Sequence, residues 1–357
     1  MLDEFEQSTA PKNRVKGALA AIISIGILAG LVAGGYLVAR DSINDFISRF
    51  QVEDYDGTGG PMVQITIEPG DTGRDVANKL VEADVIKSFE AIYRDMIAAD
   101  PTIFPGVYEY PSQIPAAQAL QILLSNTNKV VVQTTIPEGF TVAKMLPRLE
   151  RDLGLTRADL EAAIENAMER LPDTAVSIEG FLFPATYTFN PGVTADTVIN
   201  TMLDRMEAEL DDYDLTLKES MSVLTLASIV QLEGLIESDL FKISRVFANR
   251  LDRNIALQSD PTVKYYYEGS IDSFQEGMAD EDNPFNTYYN PGLPPGPIAS
   301  PGSLAIEATL RPAEGNWLYF VSINLITGET IFSETLAEHE RAAELYRQWL
   351  RDNPNYD

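Results

Sequence analysis

The chain has 357 residues and carries 26 Lys and Arg against 54 Asp and Glu, a formal net charge of −28, which argues against a duplex nucleic acid as partner because that would demand a basic footprint. At 45% hydrophobic and 22% charged the composition is that of a globular protein. With no cysteine and one histidine, disulfides, thiol nucleophiles, cysteine or multi-histidine metal sites and any Ser-His-Asp triad lacking His339 are excluded, so chemistry falls to carboxylates, hydroxyls, amides or an exogenous cofactor.

Residues 17–39 read GALAAIISIGILAGLVAGGYLVA, without an ionisable side chain. A helix of that length spans roughly 34 Å, enough for a bilayer core. The apolar run is longer than a signal-peptide core and no convincing cleavage site follows, so an uncleaved anchor is expected. Lys12, Arg14 and Lys16 precede it, which predicts a cytoplasmic tail (1–16) and places the rest of the chain outside the cell membrane. Gly26, Gly30 and Gly34 line one face at intervals of four, a spacing that fits a homodimer contact and equally the general abundance of glycine in membrane helices. Residues 40–61 read as a polar tether.

The segment 63–86 predicts a strand with Val63, Ile65 and Ile67 on one face, a Pro-Gly turn, and a helix capped by Asp71 or Thr72 with Val76, Leu80 and Val81 as its stripe. Further helices are expected near 89–98 and 115–124, with a short strand at 107–110. A related strand, turn and helix recur at 130–146, with the helix after Thr141. Units of this kind resemble LysM-like modules that hold cell-wall glycan, and a plain spacer fits the same pattern. The domain expectation is a small α/β module over 62–135 and a mainly helical lobe over 136–357. In the lobe, helix runs to about Met168, an aromatic and β-branched run covers 178–190, helices dominate 195–251, and 255–302 is loop-rich. A hairpin (317–322 and 329–333, turning at Thr327-Gly328) and a final helix from Leu336 to Leu350 close the chain. The fold class is α+β.

The most informative segment is SVLTLASIVQLEG (222–234). Val223, Leu226, Ala227, Val230 and Glu233 follow one helix face, and Gly234 can end the helix. A carboxylate there loses hydration and meets the negative end of the helix dipole, so its pKa rises. A glutamic acid protonated near neutral pH is what a general acid for glycosidic cleavage needs. The alternative is a side chain that bends to solvent at a fraying helix end.

LASIVQLEG (226–234), VFANRL (246–251), LQSDPTV (257–263), FNTYYNPGLPPGPIASPG (285–302), LYFVS (318–322) and LAEHERA (336–342), with EGFLFPATY (179–187) ahead of them, resemble in order and spacing the MltG-type (YceG-like) endolytic murein lytic transglycosylases. The resemblance covers roughly 60–350. The family's helix motif reads Ile-Val-Glu-x-Glu with the second Glu catalytic. That position is Glu233 here, while the first is Gln231, so a carboxylate at 231 is not a required nucleophile.

The resemblance implies an enzyme of the lyase class that cuts the MurNAc–GlcNAc β-1,4 bond of nascent peptidoglycan strands, leaves 1,6-anhydro-MurNAc ends, and terminates glycan elongation in cell-wall assembly. It implies no cofactor and no metal; the partners are glycan strands, the membrane and, as candidates, peptidoglycan synthases. Glu233 would protonate the leaving oxygen and then accept the proton of the sugar's C6 hydroxyl. Gln258, Ser259, Asp260, Asn286 and Tyr288 are the candidate substrate-binding residues, Asp260 being equally an Asx-turn residue before Pro261. Tyr265, Tyr266, Tyr267 and Tyr289 can stack on sugars or simply pack, the proline-rich run can line a cleft or form a rigid surface loop, and His339 is a functional or a structural histidine. Two competing functions remain open: a non-catalytic wall-binding scaffold, and a hydrolytic muramidase with Asp260 or Glu179 as second carboxylate.

Overall fold

The computed structural model describes residues 52–99, 102–125, 127–267 and 274–354. The expected anchor with its glycines, most of the tether and part of the acidic stretch 268–284 therefore lie outside the described residues. Among the described residues no helix is long and apolar enough to cross a membrane.

The chain divides into two units, one ending at Lys129 and one starting at Val130. In the first, strand β1 (Met62–Ile67) is followed by helices α1 (Gly73–Glu82) and α2 (Phe89–Ala99), strand β2 (Gly106–Pro111), helix α3 (Ala116–Ser125) and the short β3 (Lys129–Val130). β1 and β2 pair antiparallel, Met62 opposite Pro111 and Ile67 opposite Gly106, and β3 completes the sheet beside β2. Alternation buries Ile65 and Ile67 and leaves Val63 half-buried. Thr72, not Asp71, caps α1 in a reciprocal capping box with Asp75. Asp71 instead takes the Lys79 ammonium at 2.6 Å. Val76, Leu80, Ile92, Met96, Tyr108 and Tyr110 close this small core.

The second unit opens with β4 (Val132–Thr135), which pairs antiparallel with β5 (Thr186–Phe189), Val132 facing Phe189. This pairing moves the boundary between units forward from the expected 135, because a strand belongs with the sheet that satisfies its backbone. Between the two strands lie α4 (Val142–Leu153), capped by Thr141, and α5 (Arg157–Ala167), capped by Thr156. Then come α6 (Ala195–Asp211), α7 (Met221–Glu233) and α8 (Glu237–Asp252), the short α9 (Asp260–Tyr266) and α10 (Phe274–Ala279), and α11 (Ser303–Leu310). The hairpin β6 (Tyr319–Asn324) and β7 (Glu329–Ser333) and helix α12 (Leu336–Asp352) end the chain. The short α9 and α10 lie within the stretch 255–302 expected to be loop-rich, and α11 follows it in residues for which no element was expected; α9 begins on Asp260 and Pro261, where proline suits a first turn.

Helix α7 runs through the middle of this unit. Leu224 and Ala227 join one apolar cluster with Met145, Phe181, Met202 and Leu203, while Leu226, Ile229 and Val230 join another with Leu240, Phe247 and Ile298. The expected single stripe is therefore too narrow: every residue from Leu224 to Val230 is buried, as a helix packed on both sides requires. Its hydroxyls are absorbed locally, Thr225 donating to the Met221 carbonyl at 2.7 Å and Ser228 to the Thr225 carbonyl at 2.8 Å.

Candidate active site

Glu233 is the last residue of α7 and is half-buried, at the end of the helix where solvent returns, after the half-buried Gln231 and the exposed Leu232. Gly234 ends the helix with φ −80° and ψ 118°, an extended conformation instead of the left-handed cap expected from glycine. Packing is what excludes a side chain there: a Cβ at 234 would overlap the Leu240 side chain.

One Glu233 oxygen, Oε1, accepts the Ser259 hydroxyl at 2.6 Å. Burial pushes the Glu233 carboxyl up to about 7, the Ser259 hydrogen bond opposes this, the negative Asp260 adds to it, and the Lys264 and Arg250 cations oppose it. The group thus sits near half-protonation at neutral pH. Ser259 is itself buried and fixed from several sides. Its N–H donates to Thr287 Oγ1 at 3.0 Å, its carbonyl accepts Thr262 Oγ1 at 2.6 Å, and the Thr262 and Thr287 hydroxyls meet at 2.8 Å. Gln258, one residue earlier, has φ 52°, a left-handed conformation that costs a non-glycine residue about 1–2 kcal/mol. The strain is held by the Gln258 N–H bond to the Thr287 carbonyl at 3.0 Å. Its side chain is exposed, with Oε1 accepting from Arg250 Nη1 at 3.3 Å.

Asp260 makes no Asx turn. Its Oδ1 accepts the Tyr288 hydroxyl at 2.5 Å, and burial together with this bond pushes the Tyr288 phenol above its usual range. Asn286 departs from the expected role. It is fully buried, with Nδ2 donating to the Met278 and Asp280 carbonyls at 2.9 and 2.8 Å and Oδ1 accepting the Tyr288 N–H at 3.0 Å. Its amide is spent on bracing the loop that presents Tyr288, which leaves nothing for a sugar.

Gln231, at the position where the motif has its first glutamate, accepts the Gly302 N–H through Oε1 at 2.9 Å. An amide oxygen does this as well as a carboxylate. The proline-rich run is a buried wall, pinned to α7 by the Ile298 N–H bond to Ser228 Oγ at 3.0 Å and to the 139–140 turn by Ser300, which exchanges backbone bonds of 2.8 and 2.9 Å with Gly139 and Phe140.

Between this wall and α9 lies a cleft of about 660 Å³ whose lining includes Leu232, Pro261, Lys264, Tyr265, Glu179 and Ile298. Leu232 and Pro261 are the chain neighbours of Glu233 and Asp260, while neither of those two carboxylates is itself part of the lining. Glu179 is 4% exposed and accepts the Val142 N–H through both oxygens at 3.2 and 3.0 Å. Burial pushes it up to about 7 against the bonds from Val142, Gly180 and the Tyr265 hydroxyl. Tyr265 packs on Phe285 with ring centroids 4.9 Å apart, so it serves as wall as well as lining. Tyr266 is exposed on the rim, and Tyr267 is engaged by Asp280.

Three residues that sequence reasoning left without a role matter here. Arg250, 7% exposed, donates to the carbonyls of Leu318, Ala256 and Leu257 at 2.6, 3.1 and 2.9 Å and lies over the Tyr319 ring. Thr287 ties Ser259 down, and Lys264, with Lys144, brings positive charge to the cleft lining. His339 stacks on the same Tyr319 ring, centroids 5.2 Å apart and planes 21° apart, and burial lowers its pKa. It is a packing residue at the back of the Arg250 site.

Glu179 predicts a stability effect with a definite sign. An acid whose folded pKa lies above its unfolded value holds a proton the unfolded chain has lost, so stability falls as pH rises from about 4.5 to about 7. Glu179→Gln removes that penalty, and thermal melts of the variant are expected to flatten between pH 5 and 8, gaining about 1–3 kcal/mol over the parent at pH 8. Parallel curves for the two proteins would reject the raised pKa.

The residue pattern of the YceG-like family matches residues 65–345. A protein of Bacillus subtilis (strain 168) named endolytic murein transglycosylase is 31% identical over 306 residues, spanning 80% of this chain and 84% of that protein. A protein of the same name from Streptococcus pneumoniae serotype 2 is 28% identical over an alignment of 356 positions that covers 88% of this chain and 62% of that one. The crystal structure of a yceG-like protein from Listeria monocytogenes superposes with a TM-score of 0.51 at 27% identity, covering 79% of this chain and 99% of that one. With its ordered motifs and mixed fold of many helices and small sheets, the chain belongs to the YceG-like family.

Proposed function

We propose that the chain is a membrane-anchored endolytic murein transglycosylase, a lyase that cuts the MurNAc–GlcNAc β-1,4 bond within glycan strands with Glu233 as acid and then base. The single observation that carries this reading is the Glu233–Ser259 pair, a carboxyl at the end of a buried helix held by one hydroxyl at 2.6 Å, with burial raising its pKa. The protonated form gives its proton to the departing glycosidic oxygen. The resulting carboxylate keeps the Ser259 hydroxyl as donor, which favours the charged form, and takes the proton of the C6 hydroxyl as that oxygen closes the 1,6-anhydro ring. No water enters, so no second carboxylate acts as base or nucleophile. Asp260 is occupied by Tyr288 and Glu179 by backbone N–H groups, which supports the one-residue scheme over hydrolysis. The residues Gln258, Ser259, Asp260 and Tyr288 shape the acid's surroundings, and Asn286 acts through Tyr288.

The apolar stretch 17–39 anchors the chain, and the tether keeps both units outside the membrane near emerging strands, where cutting ends elongation. The unit built on β1 and β2 holds glycan. The test is to incubate the full chain in detergent with polymerised glycan and read the new ends by mass spectrometry. Anhydro-MurNAc ends are expected; reducing ends would replace the lyase with a hydrolase, and an uncut strand would leave a wall-binding scaffold.

A further inference from the structure

The cleft beside Glu233 does not stop at Glu179. A second cavity, of about 470 Å³, shares Glu179 and Tyr265 with the first and continues along α5. Beyond Tyr265 its walls turn aliphatic, with Ile164, Met168 and Ile178 and the exposed Val176. A saccharide subsite would present aromatic faces to the sugar rings; these walls instead suit short aliphatic side chains. Charge separates the two halves as well. The first cavity carries Lys144 and Lys264, whereas the second carries Glu161 and Glu165, which share the α5 face of Ile164 and Met168 and are both exposed.

One substituent of murein matches this sequence of surfaces. The stem peptide on the lactyl group brings carboxylates and small apolar side chains, then the free amine of its diamino residue. We propose that the joined cavities form one groove in which the second cavity takes the stem peptide, the lysines facing its carboxylates and Glu161 and Glu165 reading the free amine. The inference rests on the murein reading above. Its consequence is selectivity for strands not yet cross-linked, because a cross-link acylates that amine and removes its charge.

The test measures binding, so that it does not depend on turnover. The full-length Glu233→Gln chain is titrated with three sets of glycan oligomers: with uncross-linked stem peptides, with the same peptides acetylated on the diamino residue, and with the peptides removed. The expected order is tightest for the first, with a three- to tenfold loss on acetylation, in keeping with the modest worth of exposed ion pairs, and a larger loss on removal. Adding Glu161→Lys and Glu165→Lys to that chain, both on an exposed helix face, is expected to bring the free-amine and acetylated oligomers within a factor of two, with an unchanged thermal melt. Equal affinity of the Glu233→Gln chain for all three oligomers overturns the groove and leaves the murein reading standing. Binding of none overturns both.

Discussion

Glu233→Gln is expected to reduce strand cleavage by about 10³-fold or more while leaving the fold intact. A positioned general acid contributes on the order of 10²- to 10⁴-fold, and here the same carboxyl serves both proton transfers, so its loss belongs at the upper end. The replacement is isosteric, and Ser259 can donate to the new amide oxygen as it does to Oε1 at 2.6 Å. Because burial raises the folded pKa of Glu233 to about 7, the carboxyl costs stability above that pH. The variant should therefore melt at an equal or higher temperature at pH 8. Turnover within tenfold of the parent would remove Glu233 from the mechanism. Ser259→Ala gives a companion readout: loss of the donor raises the pKa further, and the alkaline limb of the kcat/KM profile moves up, with protonated Glu233 persisting to higher pH.

How much of this was legible in the sequence differs with the kind of interaction. Caps and turns are local, so Thr72, Thr141 and the hairpin around Gly328 follow from residue types within a few positions. The unusual setting of Glu233 was legible because an acidic residue closing an apolar helix is a conflict between pattern and chemistry, the kind of conflict that makes a position a site candidate. Asn286 was misread for a physical reason. Its partners are the Gly277, Met278 and Asp280 carbonyls, and backbone acceptors leave no trace in residue identity. Arg250 was missed on the same ground, since its acceptors at Leu318, Ala256 and Leu257 are carbonyls brought together only by the fold. The apolar stripe on α7 was incomplete because periodicity reveals one buried face and is silent when two cores meet on one helix.

Gly180→Ala is expected to be the most damaging small substitution in the second unit. Gly180 occupies the third position of the turn closed by the Phe181 N–H on the Ile178 carbonyl at 3.1 Å, with φ 79°, a conformation that costs an L-residue about 1–2 kcal/mol. A Cβ there would also overlap Pro297, pushing on the wall that Ile298 and Ser300 pin in place, and overpacking of this kind adds about 1–3 kcal/mol. The sum lowers the melting temperature by roughly 5–15 °C for a unit of this size. Cleavage should fall with it, because Glu179 and Ile298, the residues moved, both line the cleft. Gly154→Ala is the internal control. Its φ is 69° and a Cβ there meets nothing within 4 Å, so it carries the conformational cost alone and leaves the cleft untouched. If the two variants melted together and cleaved alike, the close approach of Pro297 to Gly180 would have no energetic weight, and the wall it builds beside Glu179 would lose its physical basis.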